Sequence, residues 1–483
     1  MSLQFITGNS GNGKTKYLFN RIVKEAKANP RDNYLVIVPE QFTMQTQRQL
    51  VDLSENKAIM NIDVLSFKRL AYRVFDELGI TKLTVLEETG KNLVLRKLAA
   101  QEADKLGVIG RNLNRIGYIS EVKSLLSELV QYNISPEELG RYIASGRLSD
   151  TLSDKLKDVL VLYEAFEKFM QDKYITAEEI LNVLSNVAEE SAILRNSVIA
   201  FDEFTGFTPI QNQLIKKLFV ISKKIYVTLT IDCREDIFKS RGMQELFDMP
   251  KRTVKSLTEM AAFYGIEVEE PIILDKNYRL AENEELSFME QQLFRKRRCS
   301  FKKVPKHIHI DCLRDPKQEL TKIARRINEL VRNENLRYRD IAIVTGDVNI
   351  YAGYVREIFD KYNIPYFIDA TQEILFHPFI EFIRSIPDIA AQHFSADAVF
   401  RFLRCGFTEL SASEIDVLEN YVLACGVRGK SAWDKKWVRL PKHKAGYDIE
   451  LLNQSREYIM ELLKPVYQVF SDKKSTVKDY VLA

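Results

Sequence analysis

Near the start of the chain, Gly8-Asn9-Ser10-Gly11-Asn12-Gly13-Lys14-Thr15 has the spacing G-x-x-x-x-G-K-[ST]. Glycines in this pattern let successive backbone N–H groups turn inward, and a following helix adds its positive N-terminal end. Such a loop holds an anion. Lys14 has the length to reach the β- and γ-phosphates of ATP, and the Thr15 hydroxyl suits Mg²⁺. A second group, Val198-Ile-Ala-Phe-Asp202-Glu203, is four apolar residues followed by two carboxylates. There Asp202 would hold Mg²⁺ through water and Glu203 would polarise an attacking water. Strands often end in acids where they meet solvent, so this pair takes its meaning from the glycine loop.

Three further groups have two readings each. Arg279, in Asn277-Tyr278-Arg279, is either a cation that reaches the γ-phosphate or an arginine on a solvated loop. Ser66 and Phe67 follow the strand-like Ile62-Asp-Val-Leu65. They offer a hydroxyl and a ring to a single DNA strand, or they start a helix with Phe67 turned into the core. Arg295, Lys296, Arg297 and Arg298, with Lys302, Lys303 and Lys306, give seven basic residues and no acid over 295–306. That run suits nucleic-acid phosphates, and it equally suits a solvated linker. Thr205 to Gln211 is a candidate loop for sensing the γ-phosphate or DNA.

These groups need elements to position them. Residues 3–7 form a short apolar run before the glycine loop, and Leu18, Ile22 and Ala26 behind it share a helical face. The runs 34–38, 198–202 and 225–231 are also continuous and apolar. Such strands separated by helices predict a parallel sheet covered on both faces, an α/β fold. From Thr84 to Ala192 the spacing is helical with no convincing strand, which predicts a helical insertion. A second βαβαβ unit is predicted near residue 306, with strands at 307–313, 340–345 and 364–368. Its first helix opens with Asp315-Pro316-Lys317-Gln318, an N-cap followed by proline. A second helix is expected through 354–362, and beyond about residue 376 the pattern is again helical.

Composition narrows the class. The 483 residues carry 70 basic and 67 acidic side chains, a net +3, which neither demands nor excludes nucleic acid. Cys233, Cys299, Cys312, Cys405 and Cys425 form no C-x-x-C pair. That predicts a reducing, cytoplasmic setting without a disulfide framework or local metal motif. No stretch is long and apolar enough to span a bilayer, so no membrane partner is expected.

The order of motifs resembles a superfamily 1 helicase of the UvrD type, and within it the AddB family, the second components of the bacterial AddAB helicase–nucleases. The residues that carry the resemblance are Val38-Pro-Glu-Gln-Phe-Thr43, Phe204-Thr-Gly-Phe-Thr-Pro209 and Asn277-Tyr-Arg279. Arg337-Tyr-Arg-Asp-Ile-Ala342, Ile364-Pro-Tyr-Phe-Ile-Asp369 and Glu419-Asn-Tyr-Val422 extend it over nearly the whole chain.

The resemblance implies two RecA-like P-loop NTPase domains, each with a helical insertion, and ATP bound in a cleft. The expected divisions are domain 1A at 1–84 and 192–294, insertion 1B at 85–191, the first part of domain 2A at 305–376, and the start of a truncated domain 2B at 377–483. It further implies an AddA-type partner, DNA in the form of single strands or duplex ends, and processing of double-strand breaks for recombination. Only seven residues precede Gly8, so the adenine-contacting glutamine segment of UvrD-type helicases is expected to be absent. The nuclease and its iron–sulfur cluster are expected beyond this piece, with ATP turnover by the piece slow or nil. Asp202-Glu203, more complete than AddB members usually keep, leaves hydrolysis open. A free-standing UvrD-type helicase and a scaffold with a vestigial nucleotide site remain as alternatives.

Overall fold

The computed structural model describes residues 1–80, 84–108, 110, 117–146, 148–171, 174–295, 299–370, 374–441, 446–472 and 474–482. It divides into two compact units, Met1–Ile310 and Asp311–Ala483.

The first unit is organised by a parallel sheet. It begins β1 (Ser2–Gly8), α1 (Lys14–Ala28), β2 (Tyr34–Ile37), α2 (Thr43–Leu53), β3 (Ile62–Leu65) and α3 (Phe67–Leu78). A helical stretch then interrupts the sheet: β4 (Val85–Leu86), α4 (Glu88–Gln101), α5 (Tyr118–Gln131), α6 (Pro136–Ala144), α7 (Asp150–Met170), β5 (Ile175–Thr176) and α8 (Ile180–Val187). The sheet resumes with β6 (Val198–Phe201), α9 (Pro209–Ile221), β7 (Lys224–Thr230), α10 (Asp248–Phe263), β8 (Glu267–Val268), β9 (Ile272–Leu274) and α11 (Glu284–Gln292).

Strand order is β3-β2-β6-β7-β1-β8, with β9 also on β1, and every ladder is parallel. Successive side chains on a strand point to opposite faces, so continuous apolar runs feed two cores. Leu35, Ile37, Ile199, Phe201, Ile225 and Val227 pack with α3, α8, α9 and α10. Tyr34, Val36, Val198, Ala200 and Tyr226 pack with α1 and α2 on the other side. The α/β class and the parallel sheet follow the sequence expectation.

Within the helical stretch, α4, α5, α6 and α7 close around Leu95, Leu126, Leu162 and Phe166. The sequence predicts no strand there, whereas β4 and β5 pair over two residues, Val85↔Ile175 and Leu86↔Thr176. The outgoing and returning chains lie side by side, and a short ladder satisfies their backbone groups. Lys91 of α4 is 2% exposed and is held by Glu178 (2.7 Å) and Glu88 (2.8 Å).

The second unit opens with α12 (Pro316–Asn333) and α13 (Val348–Lys361), then continues as α14 (Pro378–Ala391), α15 (Ala396–Leu403), α16 (Ala412–Cys425), α17 (Lys430–Asp434), α18 (Ile449–Ser471) and α19 (Val477–Leu482). Asp315 caps α12 by accepting from the Gln318 N–H at 2.8 Å, as its sequence pattern predicts. The strands predicted at 307–313, 340–345 and 364–368 do not form: among the described residues no ladder joins these segments. Several of their apolar side chains stand exposed, Ile310 and Val344 at 94% and Phe367 at 88%, while Ile364 is buried among residues of α12 and α13. A second RecA-like sheet is therefore not seen among the described residues. Helices α14 to α18 share a separate core around Phe400, Tyr421, Trp433 and Ile459.

The buried ion pair of the helical stretch gives the first prediction. Glu178→Ala leaves the Lys91 ammonium buried with one carboxylate and should cost about 2–4 kcal/mol. A urea midpoint within error of the wild type would refute this account of Lys91.

Candidate nucleotide-type site of the first unit

In a parallel sheet all strands leave by the same edge, and ligands gather there. Gly8 ends β1, Asp202 and Glu203 follow β6, and Thr228 and Thr230 lie at the end of β7. Asp202, Glu203, Thr228 and Thr230 line one cavity of about 790 Å³ together with Ser10, Gly11, Gly13, Lys14, Thr15, Tyr278 and Arg279. Phe42, Gln45, Thr46 and Gln49, from α2 and the turn before it, close another wall. The sequence-predicted loop, acidic pair and arginine are thus brought together.

Left-handed φ angles of 89° at Gly11 and 79° at Gly13 bend the loop into α1. At Gly8 and Gly11 the missing side chain matters for a second reason, which is space. A Cβ on Gly8 would stand 2.5 Å from the Leu274 carbonyl oxygen, and one on Gly11 would stand 2.7 Å from Asn277 Oδ1. The loop is braced from outside. Asn9 donates to Glu290 (2.7 Å) and accepts from the Cys233 N–H (2.9 Å), while Asn12 donates to the Leu274 carbonyl (2.6 Å). Lys14 Nζ donates to the carbonyls of Gly8 and Asn9, both at 3.0 Å.

The acidic pair meets the loop at Thr15, whose hydroxyl lies 3.3 Å from both Asp202 Oδ1 and Glu203 Oε1. Thr228 donates to the same Asp202 oxygen. Asp202 is 1% exposed, and its other oxygen, Oδ2, is buried without a hydrogen-bond partner. Burial pushes the Asp202 carboxyl above its ordinary pKa, and the Glu203 charge adds to this against the Thr228 and Thr15 hydroxyls. Burial likewise pulls Lys14 down, opposed by Glu203 and Asp202 and assisted by Arg279. Glu203 has φ 64°, a left-handed conformation that costs a non-glycine residue about 1 kcal/mol or more.

A hydroxyl and a carboxylate with a free buried oxygen are hard donors. They fit a small divalent cation that keeps its waters and shares a phosphate oxygen. Among the described residues no group of three or more His, Cys, Asp or Glu side chains is arranged to hold a metal by itself.

The DNA-facing expectations fare differently. Ser66 is the N-cap of α3 and accepts from the Arg69 N–H at 3.3 Å. Phe67 is 7% exposed and packs against Phe201, Phe204 and Phe207. The core reading holds for this pair, and the ring is not presented for base stacking. Arg295 pairs with Asp232 at 2.9 Å and lies over the Phe247 ring, so it too is engaged internally. Lys296, Arg297 and Arg298 lie outside the described residues. Lys302, Lys303 and Lys306 are exposed, and Lys303 pairs with Glu284. Gln211 is committed to the cap of α9, where its side chain accepts from the Thr208 N–H at 2.9 Å, so it is not free to sense a phosphate.

Residues 5–290 match the family described as ADDB, N-terminal. The chain belongs to this AddB family. A protein from Lachnoclostridium phytofermentans, named as the B subunit of an ATP-dependent helicase/deoxyribonuclease, is 38% identical over all of this chain and 42% of its own length. Proteins of the same name from Clostridium tetani and Clostridium acetobutylicum are 33% and 34% identical, over 99% and 91% of this chain and 42% and 38% of their own lengths. The chain thus spans about two-fifths of the length of these AddB-family relatives. No helix among the described residues is long and apolar enough to cross a membrane.

Asn9 and Asn12, which the motif reading places in the loop, brace it through their side chains, whereas β9 and the Thr228 hydroxyl are neighbours of the site that motif reading misses. The only local trace of the last is a threonine recurring at alternate positions of a buried strand, Thr228 and Thr230.

Asp202 supplies a stability prediction with a definite sign. Its native carboxyl holds a proton to higher pH than in the unfolded chain, so it lowers stability as pH rises through that window. Asp202→Asn should therefore raise the melting temperature at pH 8, with the gain shrinking on acidification. A lower melting temperature at pH 8 would contradict this electrostatic picture.

Proposed function

We propose that this chain is the ATP- and DNA-binding, helicase-like part of an AddB-type component of a helicase–nuclease that works on double-strand breaks for recombinational repair. The observation that carries the reading is the convergence on one cavity of the Gly8–Thr15 loop, Asp202 with its free buried oxygen, Glu203 and Arg279. A glycine loop at a helix start, an ammonium, a hydroxyl beside a buried carboxylate, and a second cation together suit a metal-bound polyphosphate such as that of ATP.

The loop amides would cradle the phosphates of ATP, and the Lys14 ammonium would pass from the loop carbonyls to phosphate oxygens. Thr15 and Asp202 would hold Mg²⁺, which when bound offsets charge on the phosphate oxygens. Glu203 would orient and polarise a water at the γ-phosphate, and the exposed Arg279 guanidinium would stabilise charge that develops there. The backbone strain at Glu203 fits a carboxylate fixed for a task rather than for packing.

The relatives' shared name, the B subunit of an ATP-dependent helicase/deoxyribonuclease, supports a heteromeric assembly with an AddA-type partner. It also supports DNA as the substrate. In this reading Lys302, Lys303 and Lys306 contribute exposed positive charge toward DNA phosphates. The nuclease and its iron–sulfur cluster would belong to sequence outside this chain.

Two measurements test the proposal. Lys14→Ala should weaken Mg²⁺-dependent binding of a fluorescent ATP analogue by at least about tenfold, because one charge-assisted contact contributes about 1.5–3 kcal/mol. Unchanged affinity would reject the site. Single-stranded DNA affinity should fall steeply with salt, and Lys302→Ala with Lys303→Ala should reduce the slope of log K against log salt by about 1.4. A slope that does not move would take these lysines out of the interface.

A further inference from the structure

Asn277 stands between the glycine loop and Arg279, and its amide is used in both directions. Its Nδ2 donates to the Ser10 carbonyl at 2.9 Å, and its Oδ1 accepts from the Leu280 N–H at 3.0 Å. The two residues that follow are tied to the same turn of the loop. The Tyr278 and Arg279 N–H groups both approach the Gly11 carbonyl, at 3.0 and 3.4 Å. The packing leaves no slack: a Cβ on Gly11 would meet Asn277 Oδ1 at 2.7 Å and Arg279 Cβ at 2.8 Å. The loop and the segment 277–280 therefore behave as one body, with Asn277 as the side-chain link.

We infer that Asn277 is a positioning residue that registers Arg279 on the phosphate loop, so that the cation discriminates ATP from ADP. This inference rests on the nucleotide reading above and deepens it. Arg279 is exposed, and a long side chain on a free loop would spend its contact energy on ordering itself. Fixing its backbone to Gly11 removes the backbone's share of that loss in advance. Asn277 itself faces a loop carbonyl, so its effect on nucleotide binding passes either through the loop, which would move ATP and ADP alike, or through Arg279, which would move their ratio.

The test measures ATP and ADP affinities by equilibrium titration with Mg²⁺ for the wild type and for Arg279→Ala, Asn277→Ala and Asn277→Asp. Arg279→Ala should cut the ATP-over-ADP preference about tenfold or more. Asn277→Ala should cut it in the same direction with ADP affinity nearly unchanged. Asn277→Asp keeps the acceptor for Leu280 and loses the donor to Ser10, so it should resemble Asn277→Ala if the link to the loop is what counts. In Arg279→Ala, adding Asn277→Ala should change little further, since the two act on one contact.

Equal losses of ATP and ADP in Asn277→Ala, or an unchanged preference, overturn the inference while the nucleotide reading stands. An additive loss in the double variant also overturns it. A wild-type chain that binds neither nucleotide overturns the reading, and the inference falls with it. Melting curves identify a variant that has lost its fold, and for such a protein Asn277→Asp and Gly11→Ala supply the comparison. Gly11→Ala presses on the same contact from the loop side, and retained ATP preference in it overturns the inference.

Discussion

The ladder on β1 is the constraint from which the first unit's cavity follows. β1 pairs in parallel with β7 on one side and with β8 and β9 on the other, so Gly8 lies level with Thr230 and with Leu274. Parallel neighbours leave a sheet at one edge, which gathers the glycine loop, the residues after β6 and the segment after β9 around a single cavity. The register is narrow in its tolerance. A slip of one residue would turn Phe5 and Ile6 toward the wrong cores and would bring a side chain where Gly8 makes room for the Leu274 carbonyl. Core packing and site geometry are specified by the same short strand.

How far this was legible in the sequence depends on whether a feature is local. The loop at 8–15 is readable because each position has its own chemical reason, and the strand before it and helix after it are continuous in sequence. Asp202 is readable as the end of a buried run. Its meeting with Thr15 is expected from the two motifs together, since both imply the same Mg²⁺; what brings the partners together across 187 positions is the β6–β7–β1 order. β9 is three residues long and carries no periodicity of its own, yet it delivers Asn277 to the loop. Ser66 and Phe67 show the reverse case. A hydroxyl, an aromatic ring and basic neighbours suit DNA, but Ser66 caps α3, and the ring gains more from burial among Phe201, Phe204 and Phe207.

In the second unit the helices were readable and the strands were not realised. Leu320, Ala324 and Ile327 fall on one face of α12 and are buried against Ile358, Phe359 and Ile364 near α13, as helical spacing requires. The runs 341–344 and 364–368 have the apolar composition of strands covered on both faces. Composition of that kind reports what a segment would bury, whereas a strand also needs a neighbour to take its N–H and C=O groups. Amphipathic helices satisfy their backbones alone, and that is why α12 and α13 form while the extended runs stay unpaired.

Electrostatics then separates the cavity's role from that of the rest of the unit. Elsewhere buried charge is compensated within the fold: Asp232 is held near a pKa of about 2, burial opposing its ionisation and the Arg234 guanidinium outweighing it with help from Arg295. Lys91 sits between two carboxylates. At the cavity the compensation is incomplete, since Asp202 keeps a free buried oxygen and an elevated pKa, and Lys14 is turned onto neutral carbonyls with a lowered one. Both groups would gain from a ligand that brings a cation to the first and anionic oxygens to the second. A fold selected for stability alone would have paired them with each other or replaced them. Their separation is a standing cost that a metal-bound polyphosphate relieves on both sides at once, and this couples the stability of the loop to occupancy of the site.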